Sequence, residues 1–154
     1  MTSNEMVGAS PNRVGGRDRV TGAQEYVADI HFTGELHAKL VKIEESRARI
    51  ISIDTAKAEQ VPGVRLILTP DDLPKPMPRF GPQYQDRPVL AAVIVNYPGE
   101  PVAALAADTK EAAEEAADLV VVEYEVLPEV HTIDAELAPD APLVQDPSLR
   151  PGEP

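Results

Sequence analysis

The chain has 154 residues, a formal net charge of −12 and no cysteine. Acidity on this scale repels phosphate backbones and anionic bilayers, which excludes nucleic acid and membrane surfaces as natural partners. The lack of thiols excludes disulfides, thiolate zinc sites, iron–sulfur ligation by this chain and cysteine nucleophiles. Hydrophobic residues make up 43% of the chain and aromatics only 4%, so the core is built from Val, Ile, Leu and Ala, with few π-faces for stacking on bases or flavins.

Residues 1–18 form an arm rich in Ser, Gly, Asn and Pro, without the apolar stretch of a signal peptide. Tyr26–Ile30 and Leu36–Ile43 read as antiparallel strands around a turn at Gly34. Arg49–Ile53 alternates and is β-branched, a third strand. Thr55–Val61 reads as a short helix, closed by Pro62-Gly63. Val64–Leu68 is an apolar run of buried-strand type. Thr69-Pro70-Asp71-Asp72 has the order of a helix start, with Thr as N-cap, Pro first and an acid third. Pro74 to Arg87 holds four prolines and a glycine and reads as a loop. Val89–Val95 and Val102–Ala107 read as strands on either side of a turn at 96–101.

Asp108 with Glu111 suggests a capping box for a helix over 109–118. Its Ala112, Ala113, Ala116 and Ala117 share one face, and its Glu111, Glu114, Glu115 and Asp118 turn outward. Leu119–Val126 is an alternating strand, and Ile133–Leu137 one helical turn. From Ala138 onward, prolines at 139, 142, 147, 151 and 154 predict an extended tail. The fold class is therefore α+β, a mixed sheet with two strand–helix–strand units over 49–68 and 102–126. The partition is an arm over 1–18, a body over 19–137 and a tail over 138–154. No apolar run approaches the ~20 residues of a membrane-spanning helix, and a cytoplasmic location is the simplest expectation.

Chemistry is sparse along the chain. His31 and His37 flank the Gly34 turn, with Asp29 and Glu35 nearby, but their spacing and that of His131 match no metal-ligand pattern. The acid pairs Glu44–Glu45, Asp71–Asp72 and Glu114–Glu115 are adjacent residues, which diverge on strands and helices alike rather than share one proton. No phosphate-binding loop or Ser–His–Asp signature is present. From the residues alone, this is an acidic α+β domain with no catalytic, cofactor-binding or metal site.

An ordered set of segments adds to this. Val20-Thr21-Gly22 with Tyr26-Val27-Ala28-Asp29-Ile30, Gly34-Glu35-Leu36-His37-Ala38-Lys39, Ala48 to Asp54 with Val61-Pro62-Gly63-Val64, and Thr69-Pro70-Asp71-Asp72-Leu73 come first. Gln85 to Ala91, then Tyr97-Pro98-Gly99-Glu100-Pro101-Val102-Ala103, and finally Val122-Glu123-Tyr124-Glu125-Val126-Leu127-Pro128 complete it. Together they resemble the α/β hammerhead domain of the molybdopterin-binding large subunit in the xanthine dehydrogenase/aldehyde oxidase family, the molybdenum hydroxylases. The stretch Lys42 to Ala48 departs from the family's pattern after the first strand.

The resemblance implies an oxidoreductase system. Molybdopterin, Fe–S clusters and FAD would belong to partner domains or subunits, and the glutamate base beside molybdenum to later domains. It transfers no catalytic residue onto this chain, which would be a noncatalytic domain, a separately encoded small subunit or a truncated gene product. It also implies that the loop over 77–85 approaches a substrate channel, where Phe80 and Tyr84 either line the entrance or anchor a surface loop. Gly99-Glu100-Pro101 reads as structural: Gly for a turn, Glu to satisfy backbone donors, Pro to fix strand entry. The competing reading is an independent binding or scaffold module that keeps the fold without the enzyme.

Overall fold

A computed structural model describes residue 8 and residues 10–144. The chain divides into two compact units, residues 1–35 and 36–154. In the first unit, α1 (Gly16–Thr21) runs between Gly15 and Gly22, both with left-handed backbones. Tyr26–Ile30, expected as a strand, is instead a 3-10 turn over Val27–Asp29. The Asp29 carboxylate reaches back and accepts the Tyr26 N–H at 2.8 Å. A short acidic side chain that bonds its own backbone in this way competes with strand pairing.

The second unit holds two three-stranded sheets. In the first, β7 (Pro101–Ala107) lies between β1 (His37–Lys42) and β3 (Val64–Leu68). In the second, β2 (Ala48–Asp54) lies between β6 (Ile94–Val95) and β8 (Val121–Val126). A small ribbon pairs β4 (Arg79–Phe80) with β5 (Arg87–Pro88). The α+β hammerhead class expected above is therefore what the chain adopts. Both strand–helix–strand segments are present, but their strands pair across the two segments and every pairing is antiparallel, so the mixed sheet expected becomes two antiparallel ones. The link over 55–63 is shorter than the roughly dozen residues a parallel crossover needs. In the segment over 102–126, β1 and β3 occupy both edges of β7, so β8 joins β2 instead.

From Ala103 onward, burial in β7 follows the two-residue period of a strand. On β7, Ala103, Leu105 and Ala107 are buried, and they pair with Val41, Lys39 and His37 of β1. α2 (Lys110–Leu119) closes over the sheet with Ala113 and Ala116 buried and Ala112 and Ala117 half-buried, the alanine stripe read from the sequence. Its N-cap is Thr109, whose hydroxyl accepts the Ala112 N–H at 3.1 Å. Asp108, expected in that role, is taken by a two-pronged pair with Arg65, at 2.8 and 2.7 Å. That guanidinium holds the Asp108 carboxyl below the usual carboxylate range, first through its hydrogen bonds.

Val64–Leu68, expected as a buried strand, is the edge of its sheet, and Leu66 is half exposed. Of the expected strand Val89–Val95 only Ile94–Val95 is regular. The Val89 and Ala91 N–H groups go to the Pro78 and Pro101 carbonyls, and the Val93 carbonyl takes the Ile50 N–H, so no continuous ladder forms. Thr69 and Asp72 make the expected capping box, but the helix stops after Pro70–Asp72, since Pro74 pushes Leu73 into extended backbone. The outer face of the second sheet is a polar ladder: Arg49 on Glu125 at 2.7 Å and Ser52 on Glu123 at 2.8 Å, each pair directly opposite in register. α3 (Ile133–Glu136) forms where one helical turn was expected. The tail expected over 138–154 is described as far as residue 144.

The last turn of α2 carries Asp118 and no basic residue, an anion beside the negative end of the helix dipole. Asp118→Lys is expected to stabilise the chain by about 0.5 kcal/mol, read as a higher denaturation midpoint at low salt that converges on wild type in 1 M salt. Equal midpoints at low salt would show that the dipole is already compensated.

Candidate functional site

An open cleft of about 570 Å³ lies in the second unit. Met77, Arg79, Asp86, Arg87 and Pro88 line it from the ribbon. Ala92, Val93, Ile94, Asn96, Tyr97 and Glu100 line it from the segment that leads into β7, and Val144 lies at its margin. The Arg79 guanidinium donates to the Asp86 carbonyl at 2.9 Å and ties the two ribbon strands together. Between them the chain doubles back at Gly81, where any Cβ would overlap the Tyr84 carbonyl oxygen. Only glycine can hold that return.

Glu100 is the most distinctive group in the cleft. Only 4% of it is exposed, and its Oε2 accepts the Asn96 N–H at 2.7 Å. The turn that presents it needs Gly99, whose φ is +82°, and whose N–H donates to the Ile43 carbonyl at 2.9 Å. Pro101 opens β7, and its carbonyl accepts the Ala91 N–H. Burial pushes the Glu100 carboxyl above the usual range, against the opposing hydrogen bond from Asn96.

The sign of the pH effect follows. Between the ordinary carboxyl pKa, about 4.3, and the raised native value, the folded chain binds more protons than the unfolded one. Stability therefore falls as pH rises through that window and levels off above it. Glu100→Gln keeps an acceptor for Asn96 and removes the charge. The variant is expected to lose this component, so that wild type weakens relative to it as pH rises from about 4. Parallel stability curves for the two proteins would contradict the assignment.

Phe80 and Tyr84 are not among the residues that line the cleft. Phe80 stands on β4, half exposed, and Tyr84 is half-buried in the return of the loop. The cleft instead gathers Arg79, Arg87, Asn96 and Tyr97, none of which sequence reasoning singled out. Three segments contribute them; Arg87 and Tyr97 fall within the ordered family segments, but nothing there marks either as a site residue, and the signal available was Gly99-Glu100-Pro101, an acid in a tight turn at the head of an apolar strand. The lining combines guanidinium, phenol and amide groups with two largely buried carboxylates and apolar side chains, a set able to make hydrogen bonds. No serine or histidine lines it.

The histidines lie elsewhere. His31 Nδ1 sits 2.7 Å from Glu35, and His37 opens β1. His131 Nε2 lies 2.7 Å from Glu129, whose carboxyl is held below its usual range by His131 and then by Ser46. Among the described residues no three His, Cys, Asp or Glu are grouped to hold a metal ion, and no helix is long and apolar enough to cross a membrane. Of the acid pairs, Asp72 caps Thr69 while Asp71 meets Lys75 at 3.6 Å. Glu114 meets Lys39 at 3.5 Å.

Residues 21–128 match the family model of the aldehyde oxidase and xanthine dehydrogenase a/b hammerhead domain. A probable xanthine dehydrogenase subunit from Bacillus subtilis is 39% identical over 138 residues, 88% of this chain and 18% of that protein. The nicotinate dehydrogenase large molybdopterin subunit of Eubacterium barkeri is 31% identical over 91% of this chain and 33% of its own length. The solved structure of reconstituted CO dehydrogenase from Oligotropha carboxidovorans superposes with a TM-score of 0.78 at 37% identity, over 88% of this chain and 17% of that one. The chain thus spans about a third or less of these relatives. The ordered motifs, the two antiparallel sheets, one of them under an alanine-striped helix, and a family match over most of the chain agree, and the chain belongs to the aldehyde oxidase and xanthine dehydrogenase a/b hammerhead family of molybdenum hydroxylases.

Proposed function

We propose that the chain serves, as a domain or small subunit, to support the molybdopterin-binding part of a cytoplasmic molybdenum hydroxylase. The observation that carries this is the hammerhead match over 21–128 in relatives of which this chain spans only a small share. One of those relatives is itself a large molybdopterin subunit. In this reading residues 19–137 are the hammerhead body, 1–18 an arm and 138–154 a connecting tail. Molybdopterin, Fe–S and FAD reside in partner domains or subunits, and hydroxylation takes place there. The chain supplies shape: the loop over 77–85 stands at the substrate entrance, with Phe80 and Tyr84 on its wall, and Gly99, Glu100 and Pro101 hold the floor beside it.

Affinity purification from the native cell, with mass spectrometry of the partners and metal analysis, tests the assembly. Recovery with a molybdenum-containing chain and with Fe–S and flavin subunits is expected. A metal-free chain recovered alone would instead identify an independent scaffold module. In the assembled enzyme, Phe80→Ala with Tyr84→Ala is expected to change the relative kcat/KM for large and small substrates. Unchanged ratios would remove the two aromatics from the entrance.

A further inference from the structure

The cleft holds a carboxylate that is buried and only half used. Glu100 is 4% exposed, and its Oε2 accepts the Asn96 N–H at 2.7 Å. Its other carboxylate oxygen has no hydrogen bond or ion pair among the described residues. Nor is that oxygen sealed in, since the one enclosed side-chain polar atom without a partner among those residues is Arg47 Nε. It therefore opens on the cleft that Glu100 lines. Burial has taken water from this carboxylate without supplying a full set of donors, and the upward push on its carboxyl has the same origin.

The rest of the lining selects what completes it. Tyr97 belongs to the same turn, where its carbonyl accepts the Glu100 N–H at 3.2 Å, and it brings an aromatic ring to the cleft. A cation beside such a ring is attracted by its π-face. A second acid of the lining, Asp86, is also buried. Arg79 and Arg87 line the cleft too, but both are exposed, and Arg79 already donates to the Asp86 carbonyl. Charges in water are screened by solvent and salt, and buried ones are not. Inside the cleft the two buried acids therefore outweigh the two exposed guanidiniums. The net charge of −12 acts in the same direction, since it concentrates cations and repels anions. A volume of about 570 Å³ is that of a small-molecule site.

We infer that the cleft binds a small organic cation, an ammonium or amidinium group on an apolar body, with the second oxygen of Glu100 as its acceptor and Tyr97 as the ring beside it. The apolar body lies against Ala92, Val93 and Ile94 of the same wall. A cationic donor gives the carboxylate the partner it lacks, and the fold has already desolvated and fixed that carboxylate before the ligand arrives. The site consists of residues of this chain alone. The inference does not rest on the function proposed above, and holds for a hydroxylase domain and for an independent module alike.

Titration of the chain with para-fluorobenzylammonium tests this, followed by fluorine NMR of the probe and by the amide signals of the protein. Saturable binding of roughly millimolar strength is expected for so small a ligand, with shifts at Asn96 and Tyr97. The anion para-fluorophenylacetate, of similar size, is expected to bind at least tenfold more weakly. Glu100→Gln keeps the acceptor for Asn96 and removes the charge, and should weaken the cation at least tenfold. Glu115→Gln, on the exposed face of α2, makes the same change in net charge and should leave the affinity as it is. Equal affinities of wild type and Glu100→Gln would overturn the inference. So would an anion that binds as well as the cation, or cation-induced shifts that gather away from Asn96 and Tyr97. Those last two results come from wild type alone, and they decide the matter even if Glu100→Gln fails to fold. The probe is also applied to the assembled enzyme, where broadening of its fluorine signal that Glu100→Gln abolishes supports a free ligand. A probe shut out there would assign the cleft to a cationic side chain of a partner and overturn the small-molecule reading.

Discussion

Leu105→Ala is expected to destabilise the chain by about 2–5 kcal/mol, the range for removing a buried leucine side chain. Leu105 is 3% exposed in the middle of β7. It is held between Lys39 of β1 and Ile67 of β3 in register, on the face covered by α2. Its neighbours along the strand on that face are Ala103 and Ala107, whose methyl groups cannot swing into the space left. The cavity should therefore stay largely open, which places the cost toward the upper end. In a chain of this size the melting temperature should fall by about 10 °C. Leu66→Ala removes the same atoms from the neighbouring strand, on the opposite and half-exposed face. It should cost well under half as much in the free chain. Equal losses at both positions would mean that the outer face of the sheet is as well packed as the inner one.

That contrast also marks what the sequence could tell. Both leucines sit in apolar runs, and nothing local distinguishes them. The runs at 36–43, 49–53 and 119–126 alternate strongly enough to be read as strands, and 102–107 is an unbroken apolar run of strand length. The alanine stripe of α2 also has one reading, because no other element needs small residues at 112, 113, 116 and 117. Sheet membership is different: it depends on which edges are already occupied. Because β1 and β3 take both edges of β7, β8 must pair with β2, a long-range competition invisible to any window of the chain. Tyr26–Ile30 misleads for the opposite reason, since one local bond from Asp29 to the Tyr26 N–H outweighs its strand-like composition.

The cleft was still less legible. Gly99-Glu100-Pro101 could be read as a turn, but Glu100 is buried where Ile43 and Ala91 bond the residues on either side of it and Asn96 and Tyr97 bond Glu100 itself. Arg79 and Arg87 look like ordinary loop residues until the ribbon brings them opposite one another's neighbours. The ordered family motifs succeed where single residues do not, because seven short segments in a fixed order encode one topology even though no segment encodes its own partner.

Ala116→Leu should have the second large effect, a loss of about 3 kcal/mol, at the upper end of the usual cost of overpacking. Ala116 is fully buried, in a helix that packs against β1, β7 and β3. The sheet surface beneath α2 carries small groups at Ala103 and Ala107 on either side of Leu105, all three buried. Gly63, whose φ is +92°, lies at the edge of this contact, where a Cβ would meet Ala112 and Asp108 at 3.7 Å, an ordinary van der Waals distance. Leucine has a higher apolar content and nearly the helix propensity of alanine, so propensity and hydrophobicity alone predict little change or a slight gain. Close packing predicts a loss, because three further carbons must displace either α2 or β7. Denaturation of Ala116→Leu beside Glu115→Leu, one residue along on the exposed face, separates the two accounts. A loss confined to position 116 shows that the small-residue stripe sets the distance between helix and sheet. A stable Ala116→Leu chain would mean that α2 can ride higher without disturbing the sheet, and that the alanines are there for helix propensity alone.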